Sequence, residues 1–281
     1  MGNIVWLASY PKSGNTWMRA FLSNLIANRA GPLKPDELRN YTDEEAKADR
    51  FAELARRPSI GLTVDEIAAL RPQVHALIAQ RAQGTRLVKT HNMCGSFNDH
   101  PLFNWQVTAG AIYVLRNPLD VVVSMTHHFG LSIGEAIERL GDERVATVND
   151  GLFVSHIIGS WSQHVSGWTD MAARSPDKVL VLRYEDLLEK PAKNFAKAAR
   201  LIGLGQDKPR IERAMKHASF GTLVALEKRE GFVEAVDEKT AFFHKGRANQ
   251  WREVLSREQV ARVVDDHREQ MARFKYLPAG F

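Results

Sequence analysis

Four short apolar runs, separated by long stretches with helical periodicity, are the feature that most restricts the fold of this chain. The runs are rich in β-branched and aromatic residues and end at polar, glycine or proline residues. Strands that are buried on both faces of a parallel sheet have this pattern. The sequence therefore predicts an α/β fold, with an open, mostly parallel sheet and helices on both faces. The four runs are residues 3–8, 85–88, 111–115 and 178–182.

The stretches between these runs, and after the last of them, predict helices. The chain contains no internal repeat and no low-complexity tract, so we expect a single domain spanning residues 1–281. Residues 31–61 and 221–245 have the least regular sequence pattern, and we interpret them as loop excursions from the main fold or as lids. The predicted helices are residues 16–29, 36–57, 63–83, 119–129, 152–173, 191–202 and 257–272.

Charge and cysteine content restrict the partners and the compartment. The formal net charge is +5, and the Lys and Arg residues are scattered rather than grouped, which favours a small anionic ligand over nucleic acid. Cys94 is the only cysteine. No apolar run approaches the roughly 20 residues that span a bilayer, and no secretory leader is recognisable. We therefore expect a cytoplasmic protein with no disulfide, no transmembrane segment and no nucleic-acid partner.

Functional residues are expected where the predicted strands end, because ligands of open α/β sheets bind beyond the carboxyl ends of the strands. Charged and polar residues, with one histidine and one glycine among them, follow the four runs. They are Lys12, Ser13, Gly14 and Thr16 after the first run, Lys89, Thr90 and His91 after the second, Arg116, Asn117 and Asp120 after the third, and Arg183, Tyr184, Glu185 and Asp186 after the fourth.

The loop after the first run has the composition of an anion-binding site. A strand, a short loop with Gly14 and a helix that begins near Thr16 present free backbone N–H groups and the positive end of a helix dipole. The stretch does not match the pattern G-x-x-x-x-G-K-[ST], because Lys12 precedes the glycine by two residues. No aspartate pairs clearly with a Ser or Thr for Mg²⁺, and we predict no metal site. On these residues alone, a kinase and a metal-free phosphate site both remain open.

Six short motifs of this chain resemble those of sulfotransferases that use 3′-phosphoadenosine 5′-phosphosulfate (PAPS). YPKSGNTW at residues 10–17 is similar to the family's 5′-phosphosulfate loop, and its surroundings read more like bacterial members of the family. RNPLDVVVS at 116–124 is similar to the 3′-phosphate motif, and KTH at 89–91 resembles the strand end that carries the catalytic histidine. The remaining motifs are RYEDL at 183–187, ASF at 218–220 and FFHKGRANQW at 242–251.

The resemblance implies a P-loop-like α/β fold and a role for each matching residue. Lys12 would act on the bridging oxygen of the phosphosulfate, His91 would be the general base, and Lys89 would stabilise the transferring sulfuryl group. Ser124 would bind the 3′-phosphate and restrain Lys12 until substrate arrives. The other implied donor-binding residues are Ser13, Gly14, Asn15 and Thr16 at the 5′-phosphate, Arg116, Lys245, Gly246 and Arg247 at the 3′-phosphate, and Trp17, Tyr184 and Phe220 at the adenine.

The sequence departs from the family pattern at several positions. Asn15 replaces the first threonine of the loop, which keeps a donor but loses a hydroxyl. His244 stands where the family usually has an arginine, so the 3′-phosphate would be held more weakly unless Arg247 reaches it. His127 and His128 lie in a predicted helix, and one of them could serve as a second base. The dimer motif of the animal enzymes is poorly kept, which leaves the oligomeric state open.

The resemblance thus predicts an enzyme that transfers a sulfuryl group from PAPS and releases adenosine 3′,5′-bisphosphate (PAP). The acceptor would be a hydroxyl or amine of a small molecule, a lipid, a glycan or a glycopeptide, and the sequence does not select among them. A P-loop-type small-molecule kinase is the alternative enzyme. A nucleotide-binding module without turnover is disfavoured, because Lys12 and His91 are both present.

Overall fold

A computed structural model describes residues 3–232, 242–243 and 245–281, which divide into two compact units. Unit 1 contains residues 3–10, Thr42–Tyr113 and Glu143–Val181. Unit 2 contains Pro11–Tyr41, Val114–Asp142 and the described residues from Leu182 to Phe281. The division does not test the expectation of a single domain, which stays a prediction.

The main sheet has the predicted α/β character. It has five strands in the order β2-β3-β1-β6-β7, and β3 pairs in parallel with both β1 and β2. β1 is buried along its whole length, as its uninterrupted apolar sequence requires. A separate antiparallel ribbon joins β4 and β5. The strands are β1 (Ile4–Ser9), β2 (Thr42–Glu44), β3 (Arg86–Thr90), β4 (Ser96–Phe97), β5 (His100–Pro101), β6 (Thr108–Leu115) and β7 (Val179–Arg183).

Helices of both units accompany the sheet. In unit 2, α1 packs against α8 and α9, and α4 packs against α5 and α11. Among the helices of the described residues, none is both long and apolar enough to cross a membrane. The helices are α1 (Asn15–Ala27), α2 (Ala48–Ala55), α3 (Val64–Arg81), α4 (Pro118–Phe129), α5 (Ile133–Gly141), α6 (Trp161–Arg174), α7 (Tyr184–Glu189), α8 (Pro191–Leu201), α9 (Lys208–His217), α10 (Phe220–Glu230) and α11 (Arg257–Arg273), with 3₁₀ turns at Pro35–Asn40, Ser59–Gly61 and Gln250–Glu253.

The structure confirms the four predicted strands to within a few residues, but it corrects three other predictions. The predicted helix 36–57 is wrong, because that stretch contains a 3₁₀ turn, the strand β2 and only the short helix α2. The predicted helix 152–173 begins only at Trp161, since the backbone before it bonds to distant segments: the Val154 N–H donates to the Ala46 carbonyl at 2.8 Å. α10 occupies part of the stretch 221–245 that was expected to be irregular.

A buried carboxylate joins three segments of unit 1. Glu45, directly after β2, is fully buried, and its Oε1 accepts a hydrogen bond from the Arg71 guanidinium on α3 and lies 3.2 Å from Nε2 of His75. Its Oε2 accepts from the Asn92 amide at 2.9 Å. Burial alone would raise the pKa of the Glu45 carboxyl, but Arg71 and His75 outweigh it and hold that pKa well below its usual range. Arg71 also donates to the Ser155 carbonyl, so α3, β2 and residues 92 and 155 are tied to one charge pair.

Removing the charge of Glu45 should destabilise the fold strongly. Glu45→Gln leaves the Arg71 guanidinium buried without a counter-charge, and breaking a buried pair in this way costs about 3 kcal/mol or more. Urea unfolding of the purified variant measures the loss. Glu53→Gln is the matched control, because Glu53 pairs with Arg81 at 2.6 Å where both side chains are about half exposed. That change should cost less than about 1 kcal/mol; equal losses in the two variants would contradict the prediction.

Candidate active site

The loop after β1 turns sharply into the first turn of a helix. It carries two positive backbone φ angles, +66° at Lys12 and +103° at Gly14, and α1 begins directly after it. The first N–H groups of a helix have no partner inside the helix, so they are available to a bound anion. The Ser13 hydroxyl is buried and has no hydrogen-bond partner within the part of the chain that the structure describes. Thr16 lies in the first turn of α1.

Tyr184 and Arg116 enclose this loop within unit 2. A Cβ atom at Gly14 would lie 2.8 Å from Cδ2 of Tyr184, so only glycine fits there. The Arg116 guanidinium lies over the Tyr184 ring, 4.6 Å from its centroid. It also donates to the Lys12 carbonyl at 2.9 Å and, at 3.5 Å, to the Arg247 carbonyl. Arg116 therefore links the loop after β1 with the loop that carries the 242–251 motif, which includes Arg247 and is called the late loop below.

Aromatic side chains extend the same group of residues. The Trp17 ring meets the Tyr184 ring edge-on at 5.6 Å, and its indole N–H donates to the Ala218 carbonyl at 2.9 Å. Gly246, with a φ of +59°, lies so close to Phe220 that a Cβ would stand 2.3 Å from that ring. The late loop thus runs directly along the Phe220 ring.

The late loop is fastened by a residue to which the sequence analysis gave no role. Asp120 in α4 is buried, and its carboxylate accepts hydrogen bonds from the backbone N–H of Asn249 at 2.7 Å and of Trp251 at 3.1 Å. Four residues later, one turn along α4, stands the half-buried Ser124. Its place at the start of the predicted helix 119–129, four residues after Arg116, was the available signal.

The described residues from 242 to 249 are half-buried or exposed. Lys245 and Arg247 are exposed, and the Arg247 guanidinium pairs with Glu253 at 2.5 Å. The prediction about His244 concerns a residue outside the described ones. The Lys12 ammonium lies 4.3 Å from the centroid of the Phe242 ring.

In unit 1, a backbone carbonyl fixes the tautomer of His91. Nδ1 of His91 lies 2.8 Å from the Ser9 carbonyl oxygen, which can only accept, so we assign the proton to Nδ1 and a free lone pair to Nε2. Burial, together with the neighbouring Lys89 and His156, holds the pKa of His91 well below its ordinary value. The ring is therefore neutral at physiological pH and has the tautomer of a base that acts through Nε2.

A second imidazole and a carboxylate stand beside His91 and Lys89. Glu44 faces Lys89 across the β2–β3 pairing, and its Oε2 lies 3.2 Å from the Lys89 ammonium. Its Oε1 lies 3.6 Å from Nε2 of His156, whose ring centroid is 5.8 Å from that of His91. Burial would raise the pKa of Glu44, but Lys89 and His156 lower it to about 2. The sequence analysis named neither Glu44 nor His156.

The two units thus hold different parts of the predicted set. Unit 2 connects most of its members by the contacts described above, and unit 1 contains only Lys89 and His91. His127 and His128 lie in the last turn of α4, in unit 2, where the His128 ring packs edge-on against Phe129 and Phe242. A role for either as a second base stays a prediction.

Comparisons with known proteins give a consistent assignment. Residues 3–275 match the family model described as a sulfotransferase domain. Cytosolic sulfotransferase 17 of Arabidopsis thaliana is 28% identical over 278 residues, covering 93% of this chain and 72% of that protein. Sulfotransferase 1B1 of Mus musculus is 25% identical over 279 residues, covering 96% of this chain and 83% of that protein.

Solved structures share the fold. Mouse sulfotransferase SULT7A1, crystallised with PAP, aligns with a TM-score of 0.61 and 19% identity over 96% of this chain and 84% of that one. The sulfotransferase domain of the Synechococcus PCC 7002 olefin synthase aligns with a TM-score of 0.52 and 19% identity over 99% and 98% of the two chains. These likenesses concern the fold, and the family assignment comes from the sequence match. Because that match covers nearly the whole chain, this protein belongs to the sulfotransferase family.

Proposed function

We propose that this sulfotransferase uses PAPS as its donor and transfers the sulfuryl group to a hydroxyl or amine of its acceptor. The observation that carries the proposal is the pair of anion-binding features in unit 2. One is the loop with the buried, unpartnered Ser13 hydroxyl at the start of α1, and the other is Arg116, between that loop and the late loop. Two such features suit a nucleotide that bears phosphate at two places. The relative crystallised with PAP supports the same donor.

The donor side would work by charge and hydrogen bonding. Negative charge builds on the leaving phosphate oxygen as the S–O bond breaks, and preorganised cations and N–H donors stabilise it. Lys12 and the backbone at the start of α1 supply them. Arg116 and Ser124 would hold the 3′-phosphate, since a planar guanidinium suits phosphate recognition. Trp17, Tyr184 and Phe220 would bind the adenine, and Lys245, Gly246 and Arg247 would cover the 3′-phosphate.

The acceptor side would work by general-base catalysis. Nε2 of His91 removes the proton of the acceptor hydroxyl as the acceptor oxygen forms a bond to sulfur. The bond from sulfur to the 5′-phosphate oxygen breaks, and its electron pair stays on that oxygen in PAP. Lys89 would offset the negative charge of the sulfuryl oxygens. The fixed tautomer of His91 supports this role, because Nδ1–H is already bonded to Ser9 and only Nε2 can accept a proton.

The remaining parts of the proposal concern the acceptor, the compartment and the alternative activity. The acceptor would be a small molecule, a lipid or a glycan, and nothing on the described surface selects one class. A cytoplasmic location is supported by the single cysteine and by relatives that are named as cytosolic. A small-molecule kinase remains the alternative activity, and the test below separates it from sulfuryl transfer.

Donor preference and the role of His91 can be tested together. We expect the purified protein to bind PAP without Mg²⁺ in a calorimetric titration, and to transfer ³⁵S from labelled PAPS to members of a panel of phenols, aliphatic alcohols, sterols and amines. His91→Ala should lower kcat about 10²- to 10⁴-fold, the usual contribution of a general base, with PAP affinity nearly unchanged. His100→Ala, at a half-buried histidine of the same unit that the proposal gives no role, is the control. A preference for ATP·Mg over PAP would overturn the proposal.

The fit at Gly14 gives a second test of donor binding. Gly14→Ala adds a Cβ that would lie 2.8 Å from the Tyr184 ring, at a φ of +103°. Gly84→Ala is the matched control, because Gly84 has a φ of +99° and no atom within 4 Å of the added Cβ. Both changes carry a backbone cost of about 1 kcal/mol or more. Only Gly14→Ala should also weaken PAP binding, by about tenfold or more in calorimetry. Equal PAP affinity in the two variants would contradict the assignment of this loop.

A further inference from the structure

A row of ionisable side chains runs beside His91 in unit 1, and the motifs of the sequence do not include its two middle members. Lys89 pairs with Glu44 at 3.2 Å, and Glu44 lies 3.6 Å from Nε2 of His156. On the other side of the His156 ring, Nδ1 lies 3.7 Å from Oε2 of Glu45. All four side chains are at least four-fifths buried. Each ring nitrogen of His156 therefore faces one carboxylate.

The backbone holds His156 in this place independently of its side chain. Its N–H donates to the Thr147 hydroxyl at 2.8 Å, and its carbonyl accepts from the Thr147 N–H at 2.9 Å. Residues 46 and 154 bond to each other two residues before it, and the Ile157 N–H donates to the Asn92 side chain at 2.7 Å directly after it. A substitution of the His156 ring should therefore leave this path of the chain intact.

Several elements of the described structure face His91. Lys89 lies two residues before it, Glu44 lies on β2, and the side chain and carbonyl of Ser9 approach it from β1. From α6, Nε2 of His164 lies 3.3 Å from the His91 carbonyl. The Tyr113 hydroxyl donates to Nδ1 of His164 at 3.0 Å, and burial lowers the pKa of His164 to about 3, so that ring is neutral.

We propose that Glu44 and His156 are positioning residues for the reaction: Glu44 holds the Lys89 ammonium in place, and the charge of the His156 ring controls protonation of the adjacent His91 ring. The inference rests on the proposed roles of Lys89 and His91. Neither Glu44 nor His156 is assigned a contact with donor or acceptor. Glu44 acts through Lys89, and His156 acts through His91.

The direction of each effect follows from charge. A proton on His156 repels a second proton on His91 across 5.8 Å, whereas the Glu44 carboxylate attracts one. Removing the His156 ring should therefore raise the pKa of His91. Removing the Glu44 charge should loosen the Lys89 ammonium, because Glu44 is an ion-pair partner of Lys89 on the neighbouring strand. Without that carboxylate the ammonium is held less firmly, and turnover falls.

The titration of His91 itself is the decisive measurement, since it requires no acceptor. In protein labelled with ¹⁵N at histidine, the ring signals of His91, assigned through the His91→Ala spectrum, are followed against pH by NMR. His156→Gln should move the His91 midpoint up by about one pH unit, the size expected for two charges at this separation in a partly screened site. The acid limb of kcat/KM should move up by the same amount. A His91 midpoint within 0.2 units of that of the unaltered protein, roughly the precision of such comparisons, would overturn the role of His156.

The role of Glu44 has a separate readout. Glu44→Gln should lower kcat about tenfold with little change in the KM for PAPS, and Glu44→Asp should restore part of the loss because it keeps the charge. A kcat within about twofold of the unaltered protein would overturn this role. His100→Gln, at the half-buried control histidine, should leave both readouts unchanged.

The outcomes also separate this inference from the proposed function. If His91→Ala retains full turnover, the general-base role fails, whatever the titration of His91 shows. If His91→Ala is inactive but His156→Gln leaves the His91 midpoint unchanged, the inference fails and the proposed function stands. His156→Asn replaces His156→Gln if the latter does not fold, and circular dichroism and Tm decide which variant is used.

Discussion

The fully buried carboxylate of Glu45 is the interaction on which the surroundings of His91 in unit 1 depend. An isolated charge at such a site would cost several kcal/mol, so its partners must all be in place at once. Arg71 neutralises it, and Asn92 donates to its second oxygen while accepting from the Ile157 backbone. Asn92 directly follows His91, and Ile157 directly follows His156. The same carboxylate thus fixes the chain next to both imidazoles, which explains why the two rings lie close together.

The donor half in unit 2 follows a different principle, because backbone geometry does most of the positioning there. Lys12 and Gly14, which have positive φ angles, turn the chain from β1 into α1. Position 14 requires glycine because the Tyr184 ring occupies the space that a side chain would need. Arg116 joins this loop to the late loop, and Asp120, four residues later, fastens the late loop through two backbone N–H groups. Arg116 and Asp120, close together near the start of α4, therefore hold both the loop after β1 and the late loop.

The sequence predicts the elements whose signal is local and misses those that depend on distant partners. The four buried strands are evident from their apolar runs, and the loop before α1 is evident from a few contiguous residues. β2 was missed because its three residues, Thr-Asp-Glu, are polar and form a strand only by pairing with β3. Residues 153–158 resemble a helix by composition but bond to residues 46 and 145–147 instead. The same reason hides Glu44 and His156, whose partners lie far away along the chain.

This difference bears on how a sulfotransferase of this kind can be altered. The proposed phosphate-binding residues, a helix start, a glycine and an arginine, lie in fixed local patterns, so a change there is visible in the motifs. Burial and the neighbouring Lys89 lower the pKa of His91 most, His156 lowers it further, and the Ser9 carbonyl and Glu44 raise it. Of these residues only Lys89 lies in the KTH motif. Substitutions at Glu44 or His156 would therefore shift the pKa of His91 while every motif stayed intact. If His91 is the base, as proposed, its strength is a property of the packed unit, and two chains with identical motifs can differ in it.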